Sequence, residues 1–256
     1  MNNISAANYL SAISHLPIKE IYGKQELLTD DFLIEREGNF EIFYSPHNEY
    51  VNLSAKILIL GITPGWTQME CAIRHTRQYM EEENDIQTIF KRVKRDCRFY
   101  GSMRKNLISM LDELKLNLFL PLSSTEDLFS ERDYLIHTCS LIKYPLFVKQ
   151  ENYNGHSPSI TQNIFIQKYV QNTLQTNILP LKNPLIIPLG KAVETILVKW
   201  IQASYIKQEQ CLLGFPHPSG GNGHRIKQFN ERKESFKQKL IQHFTSSTEV
   251  SNNIYI

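Results

Sequence analysis

The sequence lacks several features that would place it in a specialised class of protein. Its four cysteines, Cys71, Cys97, Cys139 and Cys211, are scattered and include no C-x-x-C pair, which argues against a zinc or iron–sulfur site and against a disulfide framework. No apolar stretch approaches the roughly 20 residues that span a bilayer, and the N-terminus has no basic segment followed by a continuous apolar run. We therefore expect a cytoplasmic protein with free thiols and without a membrane segment, a signal peptide, a metal or a cofactor.

Neither the charge nor the composition is extreme. A formal net charge of +2, with 41% apolar and 21% charged residues, is typical of a globular chain and neither requires nor excludes a polyanionic partner. The 256 residues are enough for one large α/β domain. We expect a monomer with one domain over residues 1–256, in which residues 1–37 form an N-terminal helical extension and residues 245–256 a frayed tail.

Short apolar runs alternate with helical segments along the chain. The runs that predict buried strands cover residues 56–60, 134–142, 184–189 and 211–215. The segments that predict helices cover residues 6–16, 68–77, 106–118, 164–174, 192–200 and 226–244. Alternation with crossovers of this length favours a parallel sheet with helices on both faces. We predict an α/β fold, a three-layer αβα sandwich around a central four-stranded parallel sheet.

A candidate site follows the first predicted strand. The strand ends at a short turn with the sequence Gly61-Ile62-Thr63-Pro64-Gly65. In an open α/β sheet, ligands bind where the chain leaves the carboxyl end of a strand. The turn is therefore predicted to form the floor or the rim of a site.

Residues 91–105 carry positive charges with aromatic side chains between them. Arg104 and Tyr100 belong to this stretch, and only Asp96 offsets its charge locally. A basic face beside a cleft suits phosphate neutralisation, whereas a helix with its charges in water is the alternative. The sequence leaves both interpretations open.

The last predicted strand leads into the loop PHPSGGNGHR, residues 216–225. His217 lies between two prolines, which restrict its backbone. A lone histidine is more often structural than catalytic, but this one follows a strand end, as the first turn does. Because the carboxyl ends of parallel strands open on one edge of a sheet, we expect both loops to serve one site. His156, in the polar loop of residues 151–159, is also placed to reach it.

Together, the two loops resemble the signature motifs of the uracil-DNA glycosylase superfamily. Residues 61–65 resemble its G-x-x-P-G turn, and His217-Pro218-Ser219 resembles its H-P-S loop. The order of the predicted elements fits over residues 38–244, including the strand ends at residues 141–143 and 189–191. The sequence is therefore identified as a divergent member of this superfamily.

The resemblance implies a monofunctional DNA glycosylase that needs neither metal nor cofactor and has DNA as its partner. Such an enzyme extrudes a nucleotide from the stack and hydrolyses its N-glycosidic bond, which leaves an abasic site. By resemblance, His217 would stabilise the departing base and Thr63 would position the water. Trp66 and Tyr100 would stack on the extruded base, or else belong to the core.

The resemblance also implies a set of DNA contacts. Pro218 and Ser219 would press on the phosphate backbone. The loop from Gly220 to residue 225 would enter the minor groove, where one of its side chains would fill the gap left by the flipped base. The candidates for that position are Asn222, His224 and Arg225, and further backbone contacts are expected from Lys191 and Arg104.

The sequence departs from the superfamily pattern at two positions. Members usually carry Asp or Asn where Thr63 stands, or Glu where Ile62 stands, and their base-reading Asn falls near Ser140. Three explanations remain open. Water held by Thr63 could be activated by another residue, for which the candidates are Asp85, Asp96 and His156.

The second explanation, which we favour, is that a smaller Ser140 makes room for a modified pyrimidine of the kind that bacteriophages place in their DNA. The third is a catalytically silent module that binds DNA or senses damage. An unrelated α/β enzyme that binds a nucleotide phosphate at Gly220-Gly221 is a further alternative.

Overall fold

The structure is a computed structural model that describes residues 6–99 and 101–252, with side chains up to residue 245. Its helices are α1 (Ala6–Ser14), α2 (Lys24–Leu27), α3 (Trp66–Tyr79), α4 (Ile86–Cys97), α5 (Ser102–Glu113), α6 (Ile164–Thr173), α7 (Lys191–Gln202) and α8 (Arg225–Asn252). Its strands are β1 (Leu33–Glu37), β2 (Phe40–Phe43), β3 (Ile57–Gly61), β4 (Ile136–Ser140), β5 (Leu146–Val148), β6 (Glu151–Asn152) and β7 (Leu185–Pro188). The chain is thus of the predicted α/β class. Within the described part of the chain, no helix is both long and apolar enough to cross a membrane.

The contacts within the chain group it into two compact units, where the sequence predicts one domain. Unit 1 comprises Met1–Val51, Ile62–Phe99 and Cys139–Thr176, and unit 2 comprises Asn52–Gly61, Tyr100–Thr138 and Asn177–Ile256. Each unit is assembled from three separate segments of sequence. Neither unit is therefore a continuous stretch of chain that a linker could set apart.

Unit 2 contains a parallel sheet in the order β4-β3-β7, whose strand β4 continues into unit 1 at Cys139. The register of β3 and β7 runs from Ile57 opposite Leu185 to Leu60 opposite Pro188. These paired residues are all buried, as expected of a parallel strand that is covered on both faces. The strands predicted at residues 56–60, 134–142 and 184–189 are confirmed.

The prediction of a fourth parallel strand at residues 211–215 is wrong. Only Cys211 forms an isolated parallel bridge, to Ile186, and the amide of Leu212 donates to the Ile186 carbonyl at 2.9 Å. Gly214 then takes a φ of +90°, which turns the chain away from an extended path, and Pro216 follows almost at once. The parallel sheet therefore has three strands.

Unit 1 contains a second sheet, which the sequence analysis did not predict. Its strands are antiparallel in the order β1-β2-β5-β6. Strands β5 and β6 have three and two residues, too few for an alternating pattern to be recognised. Only their pairing defines them as strands: β5 pairs with β2, for example Val148 opposite Phe40, and β6 pairs with β5, for example Glu151 opposite Val148.

The predicted helices are confirmed, with shifts of a few residues at their ends. Asn163 caps one of them, α6, by accepting a hydrogen bond at its start. Asp85 does the same for α4, a helix outside the predicted ranges. The region predicted as a helical extension, residues 1–37, also contains strand β1. The region predicted as a frayed tail continues α8 to Asn252, and residues 253–256 lie outside the described part.

Candidate active site

Within unit 2, His217 is brought to the carboxyl edge of the parallel sheet. The amide of Leu189, at the end of β7, donates to the carbonyl of Leu60 in β3 at 2.9 Å. The next amide, of Gly190, donates to the carbonyl of Phe215 at 3.3 Å. The His-Pro-Ser loop therefore begins where strands β3 and β7 end, although residues 211–215, which were predicted to lead into it as a strand, form only an isolated bridge.

Gly190 allows the close approach of His217 to this edge. It has a φ of +90°, a conformation that side chains rarely adopt. A Cβ atom added to Gly190 would lie 3.3 Å from the His217 Cβ. Any other residue at this position would strain the backbone and crowd the histidine.

The hydrogen bonding of His217 fixes its tautomer. The backbone amide of Ser219 lies 3.2 Å from Nδ1 of His217 and, as an N–H group, can only donate. The proton of the neutral ring is therefore on Nε2. Burial lowers the pKa of His217, so the ring is neutral at physiological pH and presents an N–H donor.

Hydrogen bonds within unit 2 hold the rest of the loop. Asn106 on α5 donates to the carbonyl of Pro218 at 2.8 Å, and Asn222 donates to the carbonyl of His217 at 3.2 Å. Arg225 donates to the carbonyl of Ser219 at 3.0 Å. Asn222 and Arg225, both predicted to contact DNA, thus also shape the loop. Asn106, which holds the Pro218 carbonyl, was not recognised in the sequence because it lies 112 residues from Pro218.

The remaining DNA-contact candidates of unit 2 differ in exposure. Gly220 and His224 are exposed at the loop surface. Lys191 is the first residue of α7, is exposed, and lies 3.3 Å from Glu194. The guanidinium of Arg104 lies 5.6 Å from the centre of the Phe129 ring. Tyr100, predicted to stack on a base, lies outside the described residues.

Within unit 1, the turn that follows β3 is held by the Thr63 hydroxyl. This hydroxyl donates to the carbonyl of Tyr144 at 2.9 Å and accepts from the amide of Leu146 at 3.0 Å. The carbonyl of Ile62 accepts from the amide of Ile142 at 2.9 Å. One lone pair of the Thr63 oxygen is left by these two bonds, so this group can orient water only as an acceptor.

Asn152 holds the end of the same turn, where helix α3 begins. Its Oδ1 accepts from the backbone amide of Trp66 at 2.9 Å, which satisfies one of the free amides at the helix start. Gly65 precedes this amide, Pro64 is buried, and the indole of Trp66 is only half-buried. Asn152 could not be recognised in the sequence as a capping residue, because it lies 86 positions from Trp66.

The other predicted substrate contacts of unit 1 also occupy defined places. Ser140 ends β4 and is 8% exposed, and its carbonyl accepts from the Cys139 thiol. His156 is exposed in a polar turn, in which its amide donates to the side chain of Asn154 at 3.0 Å.

The carboxylates proposed as water-activating bases have structural partners. Asp85 caps α4 and accepts from the Thr88 hydroxyl at 2.6 Å, and that bond lowers its pKa. Asp96 accepts from the Tyr79 hydroxyl at 2.6 Å and pairs with Arg95, and its pKa is lowered despite partial burial. A carboxylate with a lowered pKa is a weaker base.

Most of the basic stretch of residues 91–99 is engaged in internal contacts. Arg92 pairs with Glu82, and Lys94 and Arg98 are buried. In this stretch, Lys91 is an exposed cation. The basic side chains that look alike in the sequence are therefore of three kinds in the structure: buried, paired with an acidic residue, or exposed.

A buried polar cluster surrounds Lys94. Its ammonium group donates to the side chain of Asn48, which in turn donates to the carbonyl of Lys143 at 2.8 Å. Glu49 accepts from Lys143 at 2.7 Å and from the Tyr144 hydroxyl at 2.8 Å. Burial lowers the pKa of Lys94 to about 7, so this lysine titrates near physiological pH.

Metal-ligating side chains also converge in unit 1, contrary to the expectation from the cysteine spacing. Within the described residues, Cys71, His75 and Cys97 bring one ligand atom each to within 4.8 Å of one another. They lie on α3 and α4, outside the residues that the sequence predicts as catalytic.

The described fold and loops define an α/β protein with a half-buried, neutral histidine at the edge of a parallel sheet. No protein-family model matches the chain. The chain is 40% identical over 218 residues to the uncharacterized protein YoxB of Bacillus subtilis (strain 168), with 85% of each sequence covered. The chain therefore belongs to the same protein family as YoxB.

A comparison with solved structures finds wild-type SMUG2 of Pedobacter heparinus. The sequence identity is 12%, the TM-score is 0.41, and the match covers 91% of this chain and 97% of that one. This TM-score is too low to establish a shared fold.

Proposed function

We propose that this protein is a DNA glycosylase that hydrolyses the N-glycosidic bond of a flipped-out base and leaves an abasic site. The observation that supports this most directly is the state of His217. The ring is neutral, its Nδ1 is occupied by the Ser219 amide, and its Nε2–H is free to donate to a ligand. This is the group that a departing base requires, because negative charge develops on the base as the bond breaks.

In the proposed reaction, the oxygen of water bonds to the sugar carbon while the N-glycosidic bond breaks. The electron pair of that bond goes to the base, where the Nε2–H of His217 stabilises it. The hydroxyl of the water ends on the sugar, and its proton ends on the released base. The step needs no oxidant, reductant or metal.

Thr63 fits a reaction in which stabilisation of the leaving base matters more than a strong general base. A threonine hydroxyl has no useful basicity near neutral pH, and its proton is given to the Tyr144 carbonyl. Its remaining lone pair can accept from the attacking water and so orient it. The lowered pKa values of Asp85 and Asp96 argue against these two residues as bases.

We infer that the released base is a modified pyrimidine rather than plain uracil. Ser140 stands near the position where the superfamily reads uracil with an amide, and its short side chain leaves room for a substituent on the ring. Bases of this kind occur in bacteriophage DNA, so that excision in the cytoplasm would act against the phage.

The test is a mass-spectrometric assay for free base. The protein is incubated with DNA that contains uracil, ordinary bases or glucosylated hydroxymethylcytosine, beside a His217→Ala variant. We expect release from the modified DNA and a loss of about 100-fold or more in the variant. The matched control is His15→Ala, which removes an exposed histidine that is distant from His217 in the sequence.

Binding without release from any of these substrates would favour the silent module instead. A salt titration of DNA binding distinguishes the glycosylase and the silent module, which both bind DNA, from the nucleotide-binding alternative. Each phosphate contact contributes about 0.9 to the slope of log K against log salt, so Lys191→Gln should lower the slope by about that amount. Lys199→Gln, an exposed lysine on the same helix, should leave the slope unchanged. Thermal stabilisation by nucleotide, without affinity for DNA, would contradict the proposal.

A further inference from the structure

The thiols and the imidazole that link α3 to α4 belong to no step of the proposed reaction. Cys71 and His75 are separated by one turn of α3, a spacing that places both on one face of a helix. Cys97 is the last residue of α4. Nδ1 of His75 lies 3.4 Å from Sγ of Cys71 and 3.6 Å from Sγ of Cys97.

We propose that Cys71, His75 and Cys97 bind a zinc ion in tetrahedral geometry, with the fourth position open to water. Thiolate and imidazole are the ligands that zinc prefers in proteins. Cys97 is buried, whereas Cys71 and His75 are half-buried, so water can reach the fourth position.

The distances between the ligand atoms fit this geometry. Zinc–sulfur bonds of about 2.3 Å and zinc–nitrogen bonds of about 2.05 Å at the tetrahedral angle place sulfur and nitrogen about 3.6 Å apart. The two observed separations, 3.4 and 3.6 Å, agree with this value. The ligand atoms therefore need only small movements to close around an ion.

The charges of the cluster are also suited to a divalent cation. Two thiolates and a neutral imidazole would balance the charge of a zinc ion, which suits a partly buried position. Binding would displace the thiol protons to solvent. It would also displace the proton that Nδ1 of His75 donates to the Cys71 carbonyl, 2.8 Å away, so that Nδ1 becomes free to bind the ion.

The location indicates a stabilising role for the metal. Helix α3 begins at Trp66, directly after the turn that contains Thr63, and α4 packs beside it in unit 1. A zinc ion bound to both helices would fix α3 against α4. It would thereby stabilise the helix that follows the turn without touching the reacting atoms.

The experiment measures zinc in protein prepared without a metal-binding tag, by elemental mass spectrometry. We expect about one zinc ion per chain. Cys71→Ser, His75→Gln and Cys97→Ser should each lower zinc affinity by about tenfold or more, since even partners of metal ligands affect affinity to this degree. Cys211→Ser, a buried cysteine outside the cluster, is the matched control and should retain the metal.

A second measurement uses the unaltered chain, in case the variants do not fold. Metal-free protein is titrated with cobalt(II), which should give thiolate charge-transfer bands and the visible bands of a tetrahedral ion, both reversed by zinc. Zinc should also protect two of the four cysteines from alkylation. Absence of zinc and of a cobalt spectrum would overturn the proposal. So would unchanged zinc binding in the variants, or a Cys71–Cys97 disulfide in protein isolated without reductant.

Discussion

Nδ1 of His217 accepts a hydrogen bond from the backbone amide of Ser219 at 3.2 Å, and this bond decides which ring nitrogen carries the proton. The backbone turns back at Ser219, two residues after the histidine, so that the Ser219 amide donates to Nδ1 of the ring. The outer nitrogen, Nε2, must then be the donor. The His-Pro-Ser sequence thus provides both the functional group and its orientation.

The pH dependence of base release follows from this hydrogen bond. If Nδ1 were protonated, its N–H would face the N–H of the Ser219 amide, and two donors cannot form a hydrogen bond with each other. Because burial lowers the pKa of His217 below the ordinary 6.5, the neutral ring persists through that pH. We expect single-turnover base release to stay level from neutral pH through 6.5 and to fall only at lower pH. His217→Gln, which keeps an amide donor but does not titrate, should not show this fall, whereas a fall centred above 6.5 in the unaltered protein would contradict the prediction.

Replacement of Gly190 by alanine should impair both stability and activity. The φ of +90° and the 3.3 Å approach to the His217 Cβ leave no unstrained position for a methyl group. We expect a loss of about 1–3 kcal/mol in the free energy of unfolding and about a tenfold loss in base release, because His217 would be displaced. Denaturant unfolding and the free-base assay measure the two effects. Gly223→Ala is the control for stability, since a Cβ there meets no atom within 4 Å, and an equal loss of stability in both variants would refute the explanation.

The Thr63 hydroxyl is expected to matter for stability as well as for water. Thr63→Val keeps the shape of the side chain but leaves the Tyr144 carbonyl and the Leu146 amide without their partner. We expect a cost of about 1–3 kcal/mol, measured by denaturant unfolding. Thr63→Ser retains the hydroxyl and should lie close to the unaltered protein. Equal stability of the valine and serine variants would show that the two hydrogen bonds contribute little.

Lys94 should make the stability of the protein depend on pH above neutrality. Burial lowers its folded-state pKa to about 7 from the ordinary 10.5, with Arg98 and Lys143 also acting against its charge. Between these values the unfolded chain binds more protons, so the free energy of unfolding rises with pH across this window. Lys94→Met should remove that slope, as measured by denaturant unfolding at several pH values. Lys105→Met, at an exposed lysine, should leave it in place, and an unchanged slope in Lys94→Met would be the contrary result.

The sequence was informative wherever the deciding interactions are local. The run of residues 56–60 predicts a buried strand because the four residues after Lys56 are all aliphatic, and β3 occupies that position. The prolines around His217 likewise predict a constrained loop. The prediction of a fourth strand was wrong because residues 211–215 have the apolar composition of a strand, and the positive φ of Gly214 cannot be deduced from that composition.

Interactions between distant parts of the sequence were decided only by the tertiary structure. Asn152 caps α3 from 86 residues away, and Asn106 holds Pro218 from 112 residues away. The scattered spacing of Cys71 and Cys97 argued against a metal, yet two packed helices bring both thiols to His75. Local sequence thus determined the three strands of the parallel sheet, most of the helices and the two motifs, because backbone preference and hydrophobic period act over a few residues. The partners of each functional group depend on long-range packing, which no local pattern records.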